Sequence, residues 1–389
     1  MSHVVVIGCG VIGSAIAYEL SLVPGLKITV LDKQPPWGQV SLPARATGAA
    51  LGVLMGVISH KIKGKAWQMR QASIQRYETL IPELEALTGR QIPFNRQGIL
   101  MLLVPRHEPG NAGEDLADWE KLVEIRRSQG WKLEIWDAAQ LKSRCPALVS
   151  EKITGAVYSP QDRQVDPAVL TSALVAAAEG NGVTFKFGVA VVGADLRACP
   201  NASDKLAPQS ATPHACRQIQ TTAGQLAADW FVVAAGLGSS QLTSGLGQLL
   251  DIRAVLGQAL HLRLKQPIGR SDFQPVITGN DVHIVPVGGG DYWVGATVEF
   301  PTNEDNVVAA PEKLEVVRGQ AIAFCPALAE ATVVKTWSGL RPRPEGRPAP
   351  VIDHLPGYSN ILVATGHYRN GVLLAPPTAQ AIRQILLGS

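Results

Sequence analysis

The apolar and polar positions of the chain follow two periods, one typical of strands and one typical of helices. Residues 4–7 and 27–31 are apolar, β-branched runs that predict buried strands, and residues 12–20 between them carry apolar side chains at helical spacing. Residues 65–89 predict a long amphipathic helix, and residues 378–387 predict a closing helix. The chain therefore begins with a strand–helix–strand unit, and the order of its elements favours an α/β fold.

Composition narrows the class of protein. The chain has 389 residues, which exceeds the usual size of a domain built around a single hydrophobic core, so we expect two domains. A hydrophobic fraction of 46% is typical of globular proteins, and a formal net charge of +3 argues against a nucleic-acid partner. The five cysteines lack metal-ligand spacing, which predicts no metal site and favours a reducing, cytoplasmic location. The longest apolar stretch, residues 46–58, is too short for a transmembrane helix. The residues around the first strand lack the basic region and cleavage site of a signal peptide, so we expect none there.

Glycines recur in the turn between the first predicted strand and helix, at Gly8, Gly10 and Gly13. In this G-x-G-x-x-G element the first glycine permits a tight turn, the second lets backbone approach a pyrophosphate, and the third allows close packing of helix on strand. The helix N-terminus favours the negative charge of the pyrophosphate. Asp32 follows at the end of the second strand, where a carboxylate hydrogen-bonds a ribose hydroxyl. Together these residues predict a dinucleotide-binding site.

The residues after the second predicted strand favour FAD over NAD as the dinucleotide. A simple NAD enzyme continues with another strand–helix unit, whereas this chain has a Pro/Trp/Gly loop at 35–38 and small residues at 45–50. We expect a helix of small residues over 48–56, starting close to the pyrophosphate. Two later strand–glycine elements, 234–236 and 364–366, would bring distant parts of the chain to the same molecule. We therefore predict FAD, bound non-covalently because no cysteine has the context of a flavin tether.

Four segments resemble those of one enzyme family: residues 6–18, 45–50, 337–342 and 366–376. They look like the cofactor fingerprint and C-terminal motifs of glycine oxidase, within the D-amino-acid oxidase/sarcosine oxidase group of flavoenzymes. The resemblance covers nearly the whole chain except residues 194–217. It implies an α/β fold with a Rossmann-like FAD-binding domain of the glutathione-reductase type. A second, substrate domain would be built on a mixed or antiparallel sheet.

We expect the chain to pass back and forth between these two domains. The predicted segments are 1–85, 150–240 and 338–389 for the FAD-binding domain, and 86–149 and 241–337 for the substrate domain. Residues 194–217, rich in Pro, Ser, Ala, Asn and Thr, predict a flexible surface insertion.

Three side chains are expected at the substrate. By the resemblance, Arg341 pairs with the substrate carboxylate, for which its planar fork of donors is suited, and Arg369 lines the same pocket or the flavin edge. His283 stands where glycine oxidases carry a tyrosine over the pocket, so the substrate could differ from glycine. This histidine could bind the substrate or be satisfied within its strand. Val298 stands where sarcosine oxidases carry a lysine that promotes reaction with oxygen.

The expected cofactor contacts extend well beyond the glycine motif. By the resemblance, residues 366–373 wrap the isoalloxazine ring and direct backbone N–H groups at its N1–C2 carbonyl side. The full expected set is Gly8, Gly10, Val11, Ile12, Gly13, Asp32, Lys33, Arg45, Ala46, Thr47, Leu51, Val53, Ala190, Ala235, Gly236, Gly366, His367, Tyr368, Asn370, Gly371, Val372 and Leu373.

The predicted reaction is FAD-dependent oxidation of the C–N bond of a small amino acid or N-methyl amino acid. Hydride would pass from Cα to flavin N5, and water would hydrolyse the imino acid to an oxo acid and ammonia. Oxygen as the acceptor would yield H2O2. One alternative is a D-amino-acid or secondary-amine dehydrogenase that uses a quinone or other acceptor, and another is a catalytically silent flavin-binding protein. The sequence leaves the oligomeric state open, a homo-oligomer included.

Overall fold

The computed structural model describes residues 1–37, 46–104, 116–148, 152–194, 213–301 and 307–388. Within these ranges the strands are β1 Ser2–Ile7, β2 Leu26–Asp32, β3 Val53–Leu54, β4 Phe94–Asn95, β5 Ile99–Leu103, β6 Glu134–Asp137, β7 Gly155–Ser159, β8 Arg163–Val165, β9 Thr184–Phe187, β10 Val191–Ala194, β11 Gln218–Thr221, β12 Gly224–Ala227, β13 Trp230–Val233, β14 Ile252–Arg263, β15 Val276–Gly279, β16 Val282–Gly288, β17 Asp291–Gly295, β18 Thr332–Pro344, β19 Val351–His354 and β20 Ile361–Thr365. The helices are α1 Val11–Ser21, α2 Gly64–Thr88, α3 Leu116–Ser128, α4 Ala138–Arg144, α5 Pro167–Gly180, α6 Gly238–Gly245, α7 Pro311–Phe324 and α8 Gly371–Leu387.

A six-stranded sheet with the order β19-β20-β13-β1-β2-β9 forms the first layer of the fold. Its strands run parallel except at the edge, where β19 pairs antiparallel with β20. The central strand β1 is apolar on both faces because both are covered, as expected of a parallel sheet. Val4 and Val6 pack with helices α1, α5 and α8, whereas Val5 packs on the opposite face with β11 and α6 neighbours such as Ile219 and Leu242.

An eight-stranded mixed sheet with the order β18-β14-β17-β16-β15-β5-β7-β6 forms the second body of the fold. Its only parallel pair among the described strands is β15 with β5, and the long strands β14 and β18 form its most extensive pairing. One face packs on α7, and the other packs on α2, α3 and residues 55–62. The predicted combination of a parallel α/β layer with a mixed sheet is present.

Helix α2 agrees with the prediction of a helix over 65–89, and it ends at Gly89 in the left-handed conformation, φ 68°. The helix predicted over 48–56 is wrong, because this segment forms a turn followed by the short strand β3. Gly52 has φ +73°, and a Cβ there would meet the carbonyl oxygen of Val165. The glycines of this segment therefore serve close packing of extended backbone rather than of a helix.

Helix α8 begins at residue 371, seven residues earlier than predicted, and includes the prolines at 376 and 377. A proline lacks the N–H that would bond the carbonyl four residues earlier. The two carbonyls freed in this way, at residues 372 and 373, accept hydrogen bonds from the hydroxyls of Tyr77 and Ser73 on α2. The prolines are thus compatible with α8, because side chains of α2 supply the hydrogen bonds that the carbonyls of its first turn would otherwise lack.

The predicted domain boundaries at residues 150 and 338 can be compared with the strands that each sheet contains. Strand β7 pairs within the eight-stranded sheet, although the boundary at residue 150 assigned it to the FAD-binding domain. Strand β18 spans the boundary at residue 338. Most of the insertion at 194–217 lies outside the described residues, and its far end joins the body through a bridge from His214 to Tyr358. The domain limits otherwise stay a prediction.

None of the helices in the described part of the chain combines the length and apolar composition that crossing a bilayer demands.

Candidate active site

A cavity of about 1350 Å³ runs from the carboxyl ends of β1, β2, β13 and β20 to the inner face of the eight-stranded sheet. Ligands of open α/β sheets bind at the carboxyl ends of the strands, so the cavity lies where such a fold binds a cofactor. Its volume exceeds the roughly 300–1000 Å³ of an ordinary small-molecule pocket. A dinucleotide together with a substrate fits this size.

The glycine motif forms one end of the cavity. Gly8 has φ +108°, and a Cβ on it would lie 2.5 Å from the carbonyl oxygen of Ala234 on the neighbouring strand segment. A Cβ on Gly13 would lie 1.8 Å from the Gly8 carbonyl oxygen, so this glycine lets α1 pack against the turn. Gly10 lines the cavity at the N-cap of α1 and, as a glycine, has no side chain to cap the helix. The N–H of Val11 bonds the Thr47 hydroxyl, and the N–H groups that follow it in the first turn of α1 are available to an anion, as the predicted pyrophosphate requires.

Asp32 organises the same end of the cavity from the end of β2. Its Oδ2 accepts from the backbone N–H of Cys9 at 2.7 Å, and its Oδ1 accepts from that of Gln34 at 2.7 Å. The hydroxyl of Thr47 accepts from the backbone N–H of Val11 at 3.1 Å, which ties the turn at 46–49 to the start of α1. Asp32 and Thr47 both line the cavity, so these contacts fix the loops that would hold a dinucleotide.

Nearly all the predicted site residues come together in this cavity. Gly13 and Leu373 are exceptions, because Gly13 packs behind the turn and Leu373 is buried in α8; Arg45 lies outside the described residues. The predicted residues that line the cavity are Gly8, Gly10, Val11, Ile12, Asp32, Lys33, Ala46, Thr47, Leu51, Val53, Ala190, Ala235, Gly236, His283, Arg341, Gly366, His367, Tyr368, Arg369, Asn370, Gly371 and Val372.

Arg341 lies on β18, on the face of the sheet that borders the cavity. Its Nη1 donates to the carbonyl oxygens of Leu256 and Thr297, at 3.1 and 3.0 Å. Gly257 on β14 makes room for the guanidinium, since a Cβ there would lie 2.2 Å from Nη2. No described residue accepts from Nη2 or Nε. Burial, followed by the charge of Arg369, lowers the pKa of Arg341.

Glu299 is a buried acid behind Arg341 that sequence reasoning missed. It is 2% exposed and accepts from the side chain of Gln258 at 2.8 Å, the hydroxyl of Thr297 at 2.5 Å and the backbone N–H of Ala310 at 3.0 Å. Burial alone would raise the pKa of Glu299, but the hydrogen bonds from Thr297 and Gln258 outweigh it, and the pKa is lowered. An ionised Glu299 thus helps to balance the charge of Arg341, whose Nη1 bonds the neighbouring Thr297 carbonyl.

His283 faces the cavity from β16. Its Nδ1 is 2.9 Å from the hydroxyl of Thr278. Burial, followed by the charge of Arg369, lowers the pKa of His283 to about 4, so the ring is neutral at physiological pH. Arg369 pairs with Asp281 across 3.2 Å. One nitrogen of His283 is therefore engaged within the sheet, while the ring also forms part of the cavity wall.

His367 forms a more rigid part of the wall. It is 3% exposed, and its Nε2 lies 2.9 Å from the hydroxyl of Thr378 on α8. Burial lowers its pKa to about 3. The residue that follows, Tyr368, has φ 53°, a backbone conformation that residues other than glycine rarely adopt. Residues 366–371 thus form a tightly fixed turn between β20 and α8 at the edge of the cavity.

Comparison with known proteins defines the class of the chain. A family described as FAD dependent oxidoreductase matches residues 3–385. The chain belongs to this family, so it is an FAD-dependent oxidoreductase. The match confirms the predicted class of enzyme and its cofactor.

Its relatives identify the part of the family to which the chain is similar. The glycine oxidase of Geobacillus kaustophilus is 27% identical over 389 residues, covering 99% of this chain and 94% of that protein. A crystal structure of glycine oxidase from the same organism superposes with a TM-score of 0.81 at 25% identity, covering 100% of this chain and 96% of that one. These findings confirm the predicted resemblance and the α/β fold.

A second group of relatives is longer. The bifunctional protein ThiO/ThiG of Trichormus variabilis is 30% identical over 394 residues, which cover 99% of this chain. The match covers 52% of that protein, so the chain spans about half the length of this relative. The substrate, the electron acceptor, the cellular compartment and the roles of single residues stay predictions.

Proposed function

We propose that the chain oxidises the C–N bond of a small amino acid or N-methyl amino acid, using non-covalently bound FAD. The observation that carries the proposal is the position of Arg341, whose guanidinium borders the same cavity as the dinucleotide turn at 8–13. Similarity to glycine oxidase supports the same class of substrate.

Arg341 is suited to hold the substrate carboxylate. A guanidinium has five N–H donors, and the two hydrogen bonds to protein carbonyls use only Nη1. Nη2 and Nε would then pair with the two carboxylate oxygens, a bidentate arrangement that fixes orientation as well as charge. Because Nη1 is fixed by Leu256 and Thr297, the fork is held in place before the substrate arrives.

The remaining side chains orient the substrate and need not remove a proton from carbon. Bound FAD would supply the acceptor, at flavin N5, for a hydride from the substrate Cα. A neutral His283 can accept a hydrogen bond from the substrate amine or donate one to its carboxylate, depending on its tautomer. The amine must be unprotonated for its nitrogen to supply electrons to the new C=N bond. Water then hydrolyses the imino acid to an oxo acid and releases ammonia, or methylamine when the substrate is an N-methyl amino acid.

Residues of the cavity would hold the cofactor along its length. The backbone N–H groups at the start of α1 would bind the diphosphate, and Asp32 lies where a ribose hydroxyl is recognised. The turn at 366–371 would contact the flavin ring. Cys325 is buried in the apolar cluster of the eight-stranded sheet and is not among the residues that line the cavity, which supports non-covalent binding.

The test is reduction of the bound flavin without oxygen, using glycine, sarcosine, D-alanine and D-proline. The proposal expects at least one of them to bleach the flavin absorbance and release the matching oxo acid. Repeating turnover in air and with a quinone-like dye distinguishes an oxidase, which yields H2O2, from a dehydrogenase. If no amino acid or amine bleaches the flavin, a catalytically silent flavoprotein is the better account.

A further inference from the structure

The cavity continues past the proposed amino-acid site along a wall that the proposed function does not use. This wall consists of Met55, Ser59, Arg70, Met101 and Trp119, and it is called the Arg70 lobe below. None of these residues was singled out from the sequence as a site residue.

The Arg70 lobe borders the substrate end of the cavity. Met101 on β5 pairs in register with Thr278 on β15, and the Thr278 hydroxyl contacts His283. Trp119 on α3 belongs to the same apolar cluster as Met101, on the cavity side of the eight-stranded sheet. The wall that carries His283 therefore continues directly into the Arg70 lobe.

Two buried arginines lie beside this wall, and they differ in their partners. Arg126 is fully buried and stacks on Trp67 at 3.7 Å. Its guanidinium nitrogens are engaged by the protein, with acceptors on Val57, Ser59, Lys61 and Gln129. Arg126 is thus a structural residue that fixes residues 57–61.

Arg70 is only 9% exposed, yet its guanidinium is much less engaged. Its Nη1 donates to the carbonyl oxygen of Ala66 in its own helix, and its buried Nε has no acceptor among the described residues. The buried acid Asp162 contributes charge to its surroundings, but the Asp162 oxygens accept from the backbone N–H groups of residues 56–58. Arg70 nevertheless lines the cavity, and its remaining terminal nitrogen, Nη2, makes no hydrogen bond to a described residue.

A second unpartnered donor lies within the wall of the Arg70 lobe and is itself buried. Trp119 is 1% exposed and lines the cavity, and its indole Nε1 has no acceptor among the residues described. Guanidinium and indole nitrogens donate hydrogen bonds and accept none. A buried donor left without an acceptor costs free energy, and a buried cation without an anion costs more. A ligand group that supplies acceptors and a negative charge satisfies the guanidinium of Arg70.

We propose that the preferred substrate is an amino acid with a second carboxylate, which binds Arg70 while the α-carboxylate binds Arg341. This inference rests on the proposed function, which assigns Arg341 to the first carboxylate. The second carboxylate could be attached to the amine nitrogen, as in iminodiacetate, or to the side chain, as in D-aspartate. The shared chemistry is a dianionic amino acid of small size.

The experiment compares monoanionic and dianionic substrates in the FAD-loaded enzyme. Wild type, Arg70→Met and Arg70→Lys are titrated without oxygen against glycine, sarcosine, iminodiacetate and D-aspartate, following flavin absorbance. Arg76→Met is the matched control, because Arg76 lies on the same helix and pairs with Glu83 outside the cavity. We expect Arg70→Met to raise the apparent dissociation constant of a dianionic substrate by about 10- to 100-fold. The constants for glycine and sarcosine should change by less than about two-fold, and Arg70→Lys should restore part of the loss.

A binding measurement removes the dependence on turnover. Succinate and acetate are titrated into the oxidised enzyme, and the perturbation of the visible flavin spectrum gives their dissociation constants. Tighter binding of succinate than of acetate, lost in Arg70→Met and kept in Arg76→Met, supports the second carboxylate site. If the ratio of the succinate and acetate dissociation constants is the same in wild type and Arg70→Met, the second carboxylate site is overturned.

Two further outcomes separate this inference from the proposed function. Equal weakening of both substrate classes in Arg70→Met, or a raised FAD dissociation constant, would assign Arg70 to the flavin or the fold and overturn the second site. Reduction by glycine or sarcosine with no preference for dianionic substrates would overturn it while leaving the proposed function intact. If neither class reduces wild-type flavin, the proposed function fails and this inference fails with it.

Discussion

Gly257 and Arg341 lie on neighbouring strands, and the glycine leaves the space that the guanidinium fills. A Cβ on Gly257 would come within 2.2 to 2.4 Å of three guanidinium atoms. The register pairs Val255 with Arg341 and Gly257 with Gly339, so the Arg341 side chain extends along β14 to this glycine. The absence of a side chain at residue 257 is therefore a condition for the position of the proposed carboxylate anchor.

Replacing Gly257 with Ala should displace the guanidinium without removing it. We expect the KM for the amino acid to rise at least about 10-fold, because a shifted fork loses one of its charged hydrogen bonds. FAD content should stay at the wild-type level. The matched control is Gly193→Ala, a strand glycine with open space at its Cβ position, which should leave KM unchanged. Unchanged KM in Gly257→Ala would contradict the placement of Arg341.

Replacing Gly10 with Ala tests the cofactor end of the cavity. Gly10 has φ −78°, which any residue adopts, so the methyl group should weaken FAD binding without straining the backbone. We expect the FAD dissociation constant to rise by about 10-fold or more, because backbone can no longer approach the pyrophosphate as closely. Fluorescence titration of the apoprotein with FAD measures this constant. Gly180→Ala, at a helix end with open space, serves as the control, and equal affinities in the two variants would refute the assignment.

His367 should make the protein less stable as the pH falls. Its pKa is about 3 in the folded state and near 6.5 when unfolded, so below pH 6.5 only the unfolded state takes up the proton. The free energy of unfolding should therefore fall by about 1.4 kcal/mol per pH unit from this residue between roughly pH 6 and pH 4. Denaturant unfolding with saturating FAD at several pH values measures the slope.

The control for this prediction separates His367 from the other titrating groups. His367→Gln should show a shallower slope than wild type by about that amount, because glutamine keeps a hydrogen-bonding side chain and does not titrate. Parallel slopes in wild type and His367→Gln would show that His367 is not buried in its neutral form.

Local patterns made much of the cofactor end predictable. The spacing of Gly8, Gly10 and Gly13 reflects steric requirements within a few residues, and Asp32 follows at a distance set by one helix and one strand. The helix predicted over 48–56 failed for a similar local reason. Small residues fit close packing of either helix or extended backbone, and here residues 56–58 direct their N–H groups at Asp162 rather than into a helix.

The substrate end depends on contacts between distant parts of the chain. Arg341 could be predicted only through the resemblance, because the sequence around it is that of an ordinary charged, proline-containing segment. Glu299, Arg70 and Trp119 carried no signal, because none belongs to a motif. Long-range packing brings Arg70 and Trp119 to the cavity wall and Glu299 to its buried position behind Arg341. A buried charged residue is indistinguishable in sequence from a solvated one until its neighbours are known.

The most direct test of the account is an anaerobic titration of wild type and Arg341→Leu with amino-acid substrate, following the flavin absorbance. Both proteins should be yellow, with equal FAD content, because Arg341 is assigned to the substrate rather than to the cofactor. Wild-type flavin should bleach, and the substrate dissociation constant of Arg341→Leu should be higher by on the order of 100-fold, as expected for the loss of a charged bidentate pair. Wild-type affinity in Arg341→Leu, or a wild-type flavin that no amino acid reduces, would contradict the account.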